Sequence, residues 1–274
     1  MPGLHKDVPY EVYASWDALR SSYLSKFKRS PRHALSYRLN PREPSAAMNL
    51  GTAIHSAVLE PEMFEKEYAA APKVDRRTKP GKATWAEFLA QNPKVSVLSS
   101  ENMDTCLRIR ESVWSEPWAE ALLGGKGENE LCAVWQDPEF KVACKCRVDR
   151  FSASRGAIID LKTTRDASRE AFGRAIENYD YHVQAAFYLD GFDAISPHPR
   201  TFLWIAIEKE PPYGASVGEA DSADLEEGRR RYKAAIGMHL EAERTGVWPG
   251  YPSEIQIFQR PPWARRSGGD ADEF

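Results

Sequence analysis

The feature that most constrains this chain is the stretch Ile158–Thr164, in which a charged pair interrupts an apolar strand. Successive side chains of an extended strand point to opposite faces, so Asp160 and Lys162 share one face. Ile159 and Leu161 occupy the other face. Burying a carboxylate or an ammonium group costs several kcal/mol unless the group is paired or bound to a metal. The stretch is therefore either a strand end closed by a salt bridge or part of a functional site.

The sequence around this stretch predicts a small sheet. Near residue 129 the apolar period changes from that of a helix to that of a strand. Strands are predicted, in order, over 130–136, 141–151, 156–162 and 201–208. Helices are predicted over 166–178, 181–192 and 222–245. This order predicts an α/β fold with a small mixed β-sheet flanked by helices.

A helix before the strands carries a histidine. Residues 48–59 have a helical apolar stripe and are followed by Pro61, which closes the helix. The stripe consists of Leu50, Ile54, Ala57 and Val58. Gly51 and His55 are four residues apart and therefore lie on one side of the helix. A histidine at such a position is more often a core or boundary residue than a ligand, so this helix alone decides nothing.

The domain organisation follows from these elements. Residues 1–264 are predicted to form one domain with helical N-terminal elaborations. Within it, residues 61–128 form a helical insertion between the His55 helix and the strands. The end of the chain, 265–274, is rich in acidic residues and glycine, which predicts a disordered tail.

The predicted topology brings charged side chains to a common edge of the sheet. Glu130, Asp149, Asp160 and Lys162 lie on adjacent strands, and His55 precedes them on its helix. Carboxylates with an imidazole suit a hard or borderline divalent ion such as Mg²⁺ or Mn²⁺. Such an ion lowers the pKa of a bound water, and a neighbouring lysine can stabilise charge on phosphate oxygens. The alternative is a set of unrelated surface charges.

Composition excludes some classes of protein. The net charge is −3 with 28% charged residues, which argues against a surface that coats nucleic acid but leaves a local groove possible. The sequence offers neither a signal peptide at its start nor an apolar run of about 20 residues, so a cytoplasmic protein without membrane contact is expected. The four cysteines lack metal-ligand spacing, so neither a disulfide nor a metal–cysteine site is expected: Cys106, Cys132, Cys144 and Cys146.

Two places offer positive charge to DNA. Arg29, Ser30 and Arg32 surround the predicted start of a helix, where backbone N–H groups and cations suit a 5′-phosphate. Lys145 and Arg147 share a strand face with Asp149, away from the apolar side of that strand. These five positions (29, 30, 32, 145 and 147) are predicted DNA contacts.

Several separated motifs resemble one family. Asp149, followed after ten residues by Asp160-Leu161-Lys162, resembles the PD-(D/E)xK nuclease superfamily. Residues 51–55 resemble the Gly-x-x-x-His helix, and residues 184–188 the Gln-x-x-x-Tyr helix, of its RecB-like branch. Leu50–His55, Cys144–Asp149 and Pro261–Ala264 are similar to phrases of the exonuclease VIII (RecE-type) phage and prophage nucleases. The resemblance covers roughly residues 20–264, with the motifs in the family's order.

This resemblance implies roles for individual residues. It implies that His55, Asp149 and Asp160 are metal ligands, with the Leu161 carbonyl as a possible further ligand. Lys162 would be the catalytic lysine. Gln184 and Tyr188 would brace that lysine or the scissile phosphate, and Glu130 corresponds to an acidic residue that the branch often has in its first strand. The ions would be Mg²⁺, with Mn²⁺ able to substitute, and one or two would bind per site.

The resemblance also implies a function. Nucleases of the exonuclease VIII type degrade linear double-stranded DNA from the ends, usually in the 5′-to-3′ direction. They act as ring-shaped homo-oligomers with a single-strand-annealing partner. The expected setting is a bacterial or phage-infected cell. Relatives that hold an iron–sulfur cluster have a cysteine pattern that this chain lacks, which favours the RecE-like assignment. An endonuclease, a Cas4-like end-trimming nuclease and an inactive DNA-binding scaffold of the same fold remain alternatives.

Overall fold

A computed structural model describes residues 2–40, 43 and 45–260 of the chain. The helices are α1 (Tyr10–Ser15), α2 (Ser21–Leu24), α3 (Pro31–Leu39), α4 (Ala46–Leu59), α5 (Pro61–Glu67), α6 (Lys79–Gln91), α7 (Ser100–Ser115), α8 (Pro117–Leu123), α9 (Arg169–Tyr179), α10 (Tyr181–Ile195) and α11 (Ser222–Thr245). The strands are β1 (Gly3–His5), β2 (Tyr68–Ala70), β3 (Ser96–Leu98), β4 (Glu128–Gln136), β5 (Ala143–Ser152), β6 (Ala157–Thr164), β7 (Thr201–Glu208) and β8 (Ala215–Glu219). A 3₁₀ turn, Ser25–Lys28, joins α2 to the segment before α3.

Within the described part of the chain, the main sheet has six strands in the order β1-β4-β5-β6-β7-β8. β6 and β7 run parallel, and the other neighbours are antiparallel. Helices α9 and α10 form the crossover between the two parallel strands, as a parallel connection requires. The predicted α/β fold with a small mixed sheet is confirmed, and the four predicted strands are its centre. The edge strands β1 and β8 were not predicted.

The two faces of the sheet bury separate cores. Along β6 and β7, Ile158 and Trp204 face one core, whereas Ile159 and Ile205 face the other. The first core is covered mainly by α10 and α11 and the second mainly by α4, α7 and α8. The side-chain alternation of a strand therefore directs neighbouring residues of β6 to different helices.

Helix α4 forms as its sequence predicts. The Ser45 hydroxyl accepts the N–H of Met48 and caps the first turn. Ile54 and Val58 of the predicted apolar stripe are fully buried, and the helix ends at Leu59, two residues before the proline. Burial of this stripe fixes the rotation of the helix about its axis. It therefore also fixes the direction in which His55 points.

The segment 61–128 combines helices α5 to α8 with a short parallel ladder of β2 and β3. The sequence predicted its helices but not this ladder. Within the described ranges, no helix is both long enough and apolar enough to cross a bilayer. The motif Pro261–Ala264 and the predicted tail 265–274 lie outside the described residues.

Candidate metal centre

The site lies where β5 and β6 separate. Arg150 with Ile159 is the last residue pair of their ladder, and beyond it β6 continues beside β7 alone. Asp149 and Asp160 are the next residues of the two strands. The Asp149 carboxylate accepts the N–H of Leu161 at 2.7 Å. This side chain therefore satisfies a backbone group that the separating strands leave without a ladder partner.

Three potential metal ligands come together at this point. One ligand atom each of His55, Glu130 and Asp149 lies within 4.8 Å of the other two. His55 Nδ1 is 3.5 Å from Asp149 Oδ2. The three side chains belong to α4, β4 and β5, so the tertiary fold assembles the cluster rather than a local sequence motif. The structure thus gathers two of the predicted ligands and adds Glu130, which the resemblance linked to the first strand.

Glu130 owes its position to an irregular backbone. Its φ is 51°, in the left-handed region that residues other than glycine seldom adopt. The β4–β5 ladder pairs Asn129 and Leu131 on either side of it but omits Glu130 itself. Its carboxylate accepts a hydrogen bond of 2.5 Å from Arg147 Nε. Strained residues are concentrated at functional sites, and here the irregularity turns an acidic side chain toward the cluster.

A second group of side chains lies beside the first. Asp160 is buried, and its carboxylate forms an ion pair with Lys162 on the same face of β6. Gln184 Nε2 donates to Asp160 Oδ1 at 3.1 Å, so α10 braces the carboxylate. Tyr188 is buried one turn further along the same helix. Gln184, predicted to brace the lysine or the scissile phosphate, thus contacts Asp160, the ion-pair partner of Lys162. The roles of Gln184 and Tyr188 remain predictions.

The charges of the site influence one another strongly. Burial and the Asp149 charge raise the pKa of Glu130 to about 7. Burial raises the pKa of Asp160 to about 6, although Lys162 opposes this. Burial alone would lower the pKa of His55, but the adjacent Asp149 outweighs it, so the pKa is raised. Burial alone would raise the pKa of Asp149, but His55 and Lys162 outweigh it, so the pKa is lowered. Glu130 and Asp160 therefore lose their protons at a higher pH than usual, and a nearby cation would lower that pH.

This donor set fits a divalent ion. His55, Glu130 and Asp149 supply one nitrogen and two carboxylates. Burial and the Asp149 charge raise the pKa of Glu130, and a bound cation would oppose both effects. Mg²⁺ and Mn²⁺ take carboxylate oxygens, and imidazole suits Mn²⁺ and other transition metals. Asp160 is held by Lys162 and Gln184 in this structure. Its assignment as a ligand, and that of the Leu161 carbonyl, remain predictions.

At the start of α3, the predicted phosphate site, several of the polar groups already have partners within the chain. The Ser30 hydroxyl is buried and caps the helix, as predicted. The N–H of Arg32 donates to the Pro249 carbonyl at 2.9 Å, and Arg29 Nε donates to the Tyr251 hydroxyl at 2.6 Å. The chain after α11 therefore occupies the groups on which the prediction relied. A role in DNA contact for the exposed Arg29 and Arg32 side chains remains a prediction.

Lys145 is placed differently from the prediction. Its side chain is buried, and its ammonium group donates to the carbonyls of Tyr13, Ala14 and Trp16 at 2.8, 3.1 and 2.5 Å. Burial lowers the pKa of Lys145 to about 8. Its assignment as a DNA contact is wrong, because the last turn of α1 and the residue after the helix cover the face of β5 that the sequence left open. Arg147 stays beside the cluster, paired with Glu130.

Tyr181, which contacts Lys162, was not among the predicted site residues. The ammonium nitrogen of Lys162 lies 4.9 Å from the centre of the Tyr181 ring. Tyr181 is three residues before Gln184, so one helical turn places both beside β6. Its position in the chain, next to a recognised motif on a predicted helix, was the signal that could have found it.

Comparisons with known proteins agree with this geometry. The model of a family described as a PDDEXK-like domain of unknown function (DUF3799) matches residues 20–261. A comparison with curated protein sequences gives no match. A protein from Eubacterium rectale, whose exonuclease assignment is provisional, has a crystal structure with a TM-score of 0.64 and 13% sequence identity; the alignment covers 94% of this chain and 96% of that one.

A more distant structure is a phage-related exonuclease from Haemophilus somnus 129PT. The similarity is weak, with a TM-score of 0.33 and 11% identity over 84% of this chain and 96% of its own. The Eubacterium rectale structure shows a shared fold, and the family match extends over most of the chain. The resemblance to the PD-(D/E)xK superfamily is confirmed: the chain belongs to the family of PDDEXK-like domains of unknown function.

Proposed function

We propose that the protein is a metal-dependent exodeoxyribonuclease that degrades linear double-stranded DNA from its ends. The observation that carries the proposal is the cluster of His55, Glu130 and Asp149 beside the ion pair of Asp160 and Lys162, at the point where two strands separate. Phosphodiester hydrolysis needs a bound divalent ion, a positioned water and a cation near the phosphate, and this arrangement offers a place for each.

Some residues of the site would bind the metal ion, and Lys162 would provide a positive charge beside the phosphate. His55, Glu130 and Asp149 would hold Mg²⁺ or Mn²⁺, with Asp160 completing the set for one or two ions. When bound, the ion supplies a water of lowered pKa and neutralises charge on the phosphate. Lys162 is kept protonated, because the neighbouring carboxylates raise its pKa more than burial lowers it. Its ammonium group can therefore donate to a phosphate oxygen throughout the reaction.

Attack from DNA ends is the part of the proposal that rests on relatives. The exonuclease name of the Eubacterium rectale structure and the RecE-like motifs favour ends over internal sites. The same resemblance supports 5′-to-3′ degradation in phage-type recombination, a ring-shaped homo-oligomer and a single-strand-annealing partner. These features belong to the proposal.

A digestion experiment tests it. Linear duplex DNA labelled separately at each 5′ and 3′ end is incubated with the full chain and Mg²⁺, beside the same DNA as a closed circle. We expect mononucleotides or short products from one end of the linear DNA and an intact circle. Lys162→Ala should abolish digestion without unfolding the protein. Lys94→Ala, which changes an exposed lysine outside the site, is the matched control.

Other outcomes would each refute a different part of the proposed function. Nicking of the circle would show an endonuclease. Binding of DNA without cleavage in either Mg²⁺ or Mn²⁺ would show an inactive scaffold. Full activity of Lys162→Ala, or cleavage in excess EDTA, would refute the site itself.

A further inference from the structure

A row of aromatic rings leads from the core past Lys162 to the surface. The ring centroids of Trp204 and Phe172 are 6.0 Å apart, and those of Phe172 and Tyr181 are also 6.0 Å apart. Tyr179 stacks on Tyr181 at 5.6 Å with 28° between the ring planes. Trp204 is buried, whereas Tyr179 is 68% exposed. The row therefore ends in a large aromatic surface open to solvent.

The turn that presents Tyr179 is held in place. Asp180 joins α9 to α10 in the left-handed region, with φ 58°. Its carboxylate Oδ1 pairs with Lys28 Nζ at 2.9 Å and with Arg231 Nη1 at 3.4 Å. Its carbonyl accepts the N–H of Gln184 at 3.1 Å. The same turn thus fixes both the exposed ring and the residue that braces the catalytic carboxylate.

The position of Tyr179 is unusual for a surface residue. The ring of Tyr181 lies 4.9 Å from the Lys162 ammonium group, and the ring of Tyr179 stacks on it. Only the Tyr181 ring therefore stands between Tyr179 and Lys162 in this row. A nucleotide whose phosphate reaches Lys162 would bring its base within the same range. Exposed tyrosine rings stack on any nucleobase, because every base presents a flat π-face.

We propose that Tyr179 and Tyr181 form a stacking platform for the base of an unpaired terminal nucleotide of the strand being cleaved. The proposal rests on the proposed nuclease function and names its preferred substrate: a DNA end that is frayed or single-stranded. A base inside a duplex has both faces covered by its neighbours, so only a terminal base can lie on Tyr179. An unpaired terminal base can turn onto the ring without its complement, whereas a paired one must bring the whole duplex end with it. The platform holds the terminal nucleotide while Lys162 acts on the phosphate.

The test compares Tyr179→Ala, Tyr179→Phe and the wild-type chain on two linear duplexes. One has a fully paired blunt end, and the other has two mismatched terminal pairs. On the frayed end we expect Tyr179→Ala to raise KM by about tenfold to hundredfold with little change in kcat. Tyr179→Phe should keep the wild-type KM, since the ring and not the hydroxyl makes the contact. Trp118→Ala, at an equally exposed aromatic residue (66%) on α8, is the control.

A binding measurement separates this proposal from the activity. Duplex DNA with a terminal 2-aminopurine is titrated with each protein in EDTA, where cleavage is not expected. The wild type and Tyr179→Phe should quench the fluorescence of the unpaired analogue, and Tyr179→Ala should not. Equal KM and equal quenching for wild type and Tyr179→Ala would overturn the platform while leaving the nuclease proposal intact. Absence of cleavage by the wild type would overturn the nuclease proposal instead.

Discussion

Replacing Glu130 by glutamine should stabilise the metal-free protein at pH 8. Burial and Asp149 raise the pKa of Glu130 from its ordinary 4.5 to about 7, although Arg147 opposes this. The folded protein therefore keeps this proton to a higher pH than the unfolded chain does. The free energy of unfolding accordingly falls as the pH rises from about 4.5 to about 7, and above that range the loss is complete.

The size of the effect follows from the shift. A change from 4.5 to about 7 corresponds to about 3 kcal/mol, which we reduce to about 1–3 kcal/mol because the Glu130 side chain is 27% exposed. Glutamine is neutral at every pH and has nearly the same shape. At pH 8 in EDTA, Glu130→Gln should thus raise Tm by roughly 3–9 °C, whereas at pH 4.5 the two proteins should be similar.

Thermal unfolding with and without metal provides the assay. Adding Mn²⁺ should raise the Tm of the wild type by mass action and that of Glu130→Gln much less, because the variant lacks a ligand. The control is Glu128→Gln on the same strand, whose side chain is 43% exposed in an ion pair with Lys6 and should change stability by less than about 0.5 kcal/mol. A metal-free Glu130→Gln protein less stable than wild type at pH 8 would refute the reasoning. It would show that Glu130 serves chiefly to anchor Arg147.

Three further predictions follow from the same contacts. Lys145→Met should lower the free energy of unfolding in urea by about 2–4 kcal/mol, because three carbonyl groups lose their donor, while DNA affinity of the folded protein stays unchanged; a loss of affinity at full stability would contradict the structural role. Mn²⁺ affinity, measured by calorimetry, should fall about tenfold from pH 8 to pH 6, since Glu130 takes up a proton near pH 7; a pH-independent affinity would exclude Glu130 as a ligand. Gln184→Ala should reduce kcat by up to about a hundredfold with little change in KM, because Asp160 loses its brace; an unchanged kcat would mean that the brace is dispensable.

Local sequence patterns were enough to predict which strand and which helix carry three of the site residues and on which side they lie. The alternation of apolar residues in Ile158–Thr164 placed Asp160 and Lys162 on one face of a strand, and the structure has them there as an ion pair. The apolar stripe of α4 fixed the side of the helix from which His55 projects. Strand period and helical stripe are properties of a few consecutive residues, so a single sequence reveals them.

The assembly of the metal cluster was harder to predict from the sequence. Glu130 reaches it through a left-handed residue in the middle of a strand, and nothing in the residue type signals that conformation. Asp149 accepts the Leu161 N–H at the point where the β5–β6 ladder ends, and that point is set by the pairing of the two strands. Both features arise from pairing between distant segments, and periodicity within one segment does not report them.

Packing of distant segments explains why Lys145 is not a DNA contact and why groups at the start of α3 already have partners. Lys145 lies on the polar side of β5, but residues 13–16 fold over it and supply its acceptors. The start of α3 has the residues of an anion site, but the chain after α11 takes the Arg32 N–H. A cation that is surface-like in sequence can thus be satisfied internally by a segment more than a hundred residues away.

Titration of the metal-free full chain with Mn²⁺ tests the central claim most directly. Calorimetry at pH 8 should show binding by the wild type and by the exposed-site control Asp166→Asn, with at least one ion per chain. Asp149→Asn should lose this binding while remaining folded by circular dichroism. Equal Mn²⁺ binding by wild type and Asp149→Asn, or none by either, would contradict a metal centre built on His55, Glu130 and Asp149.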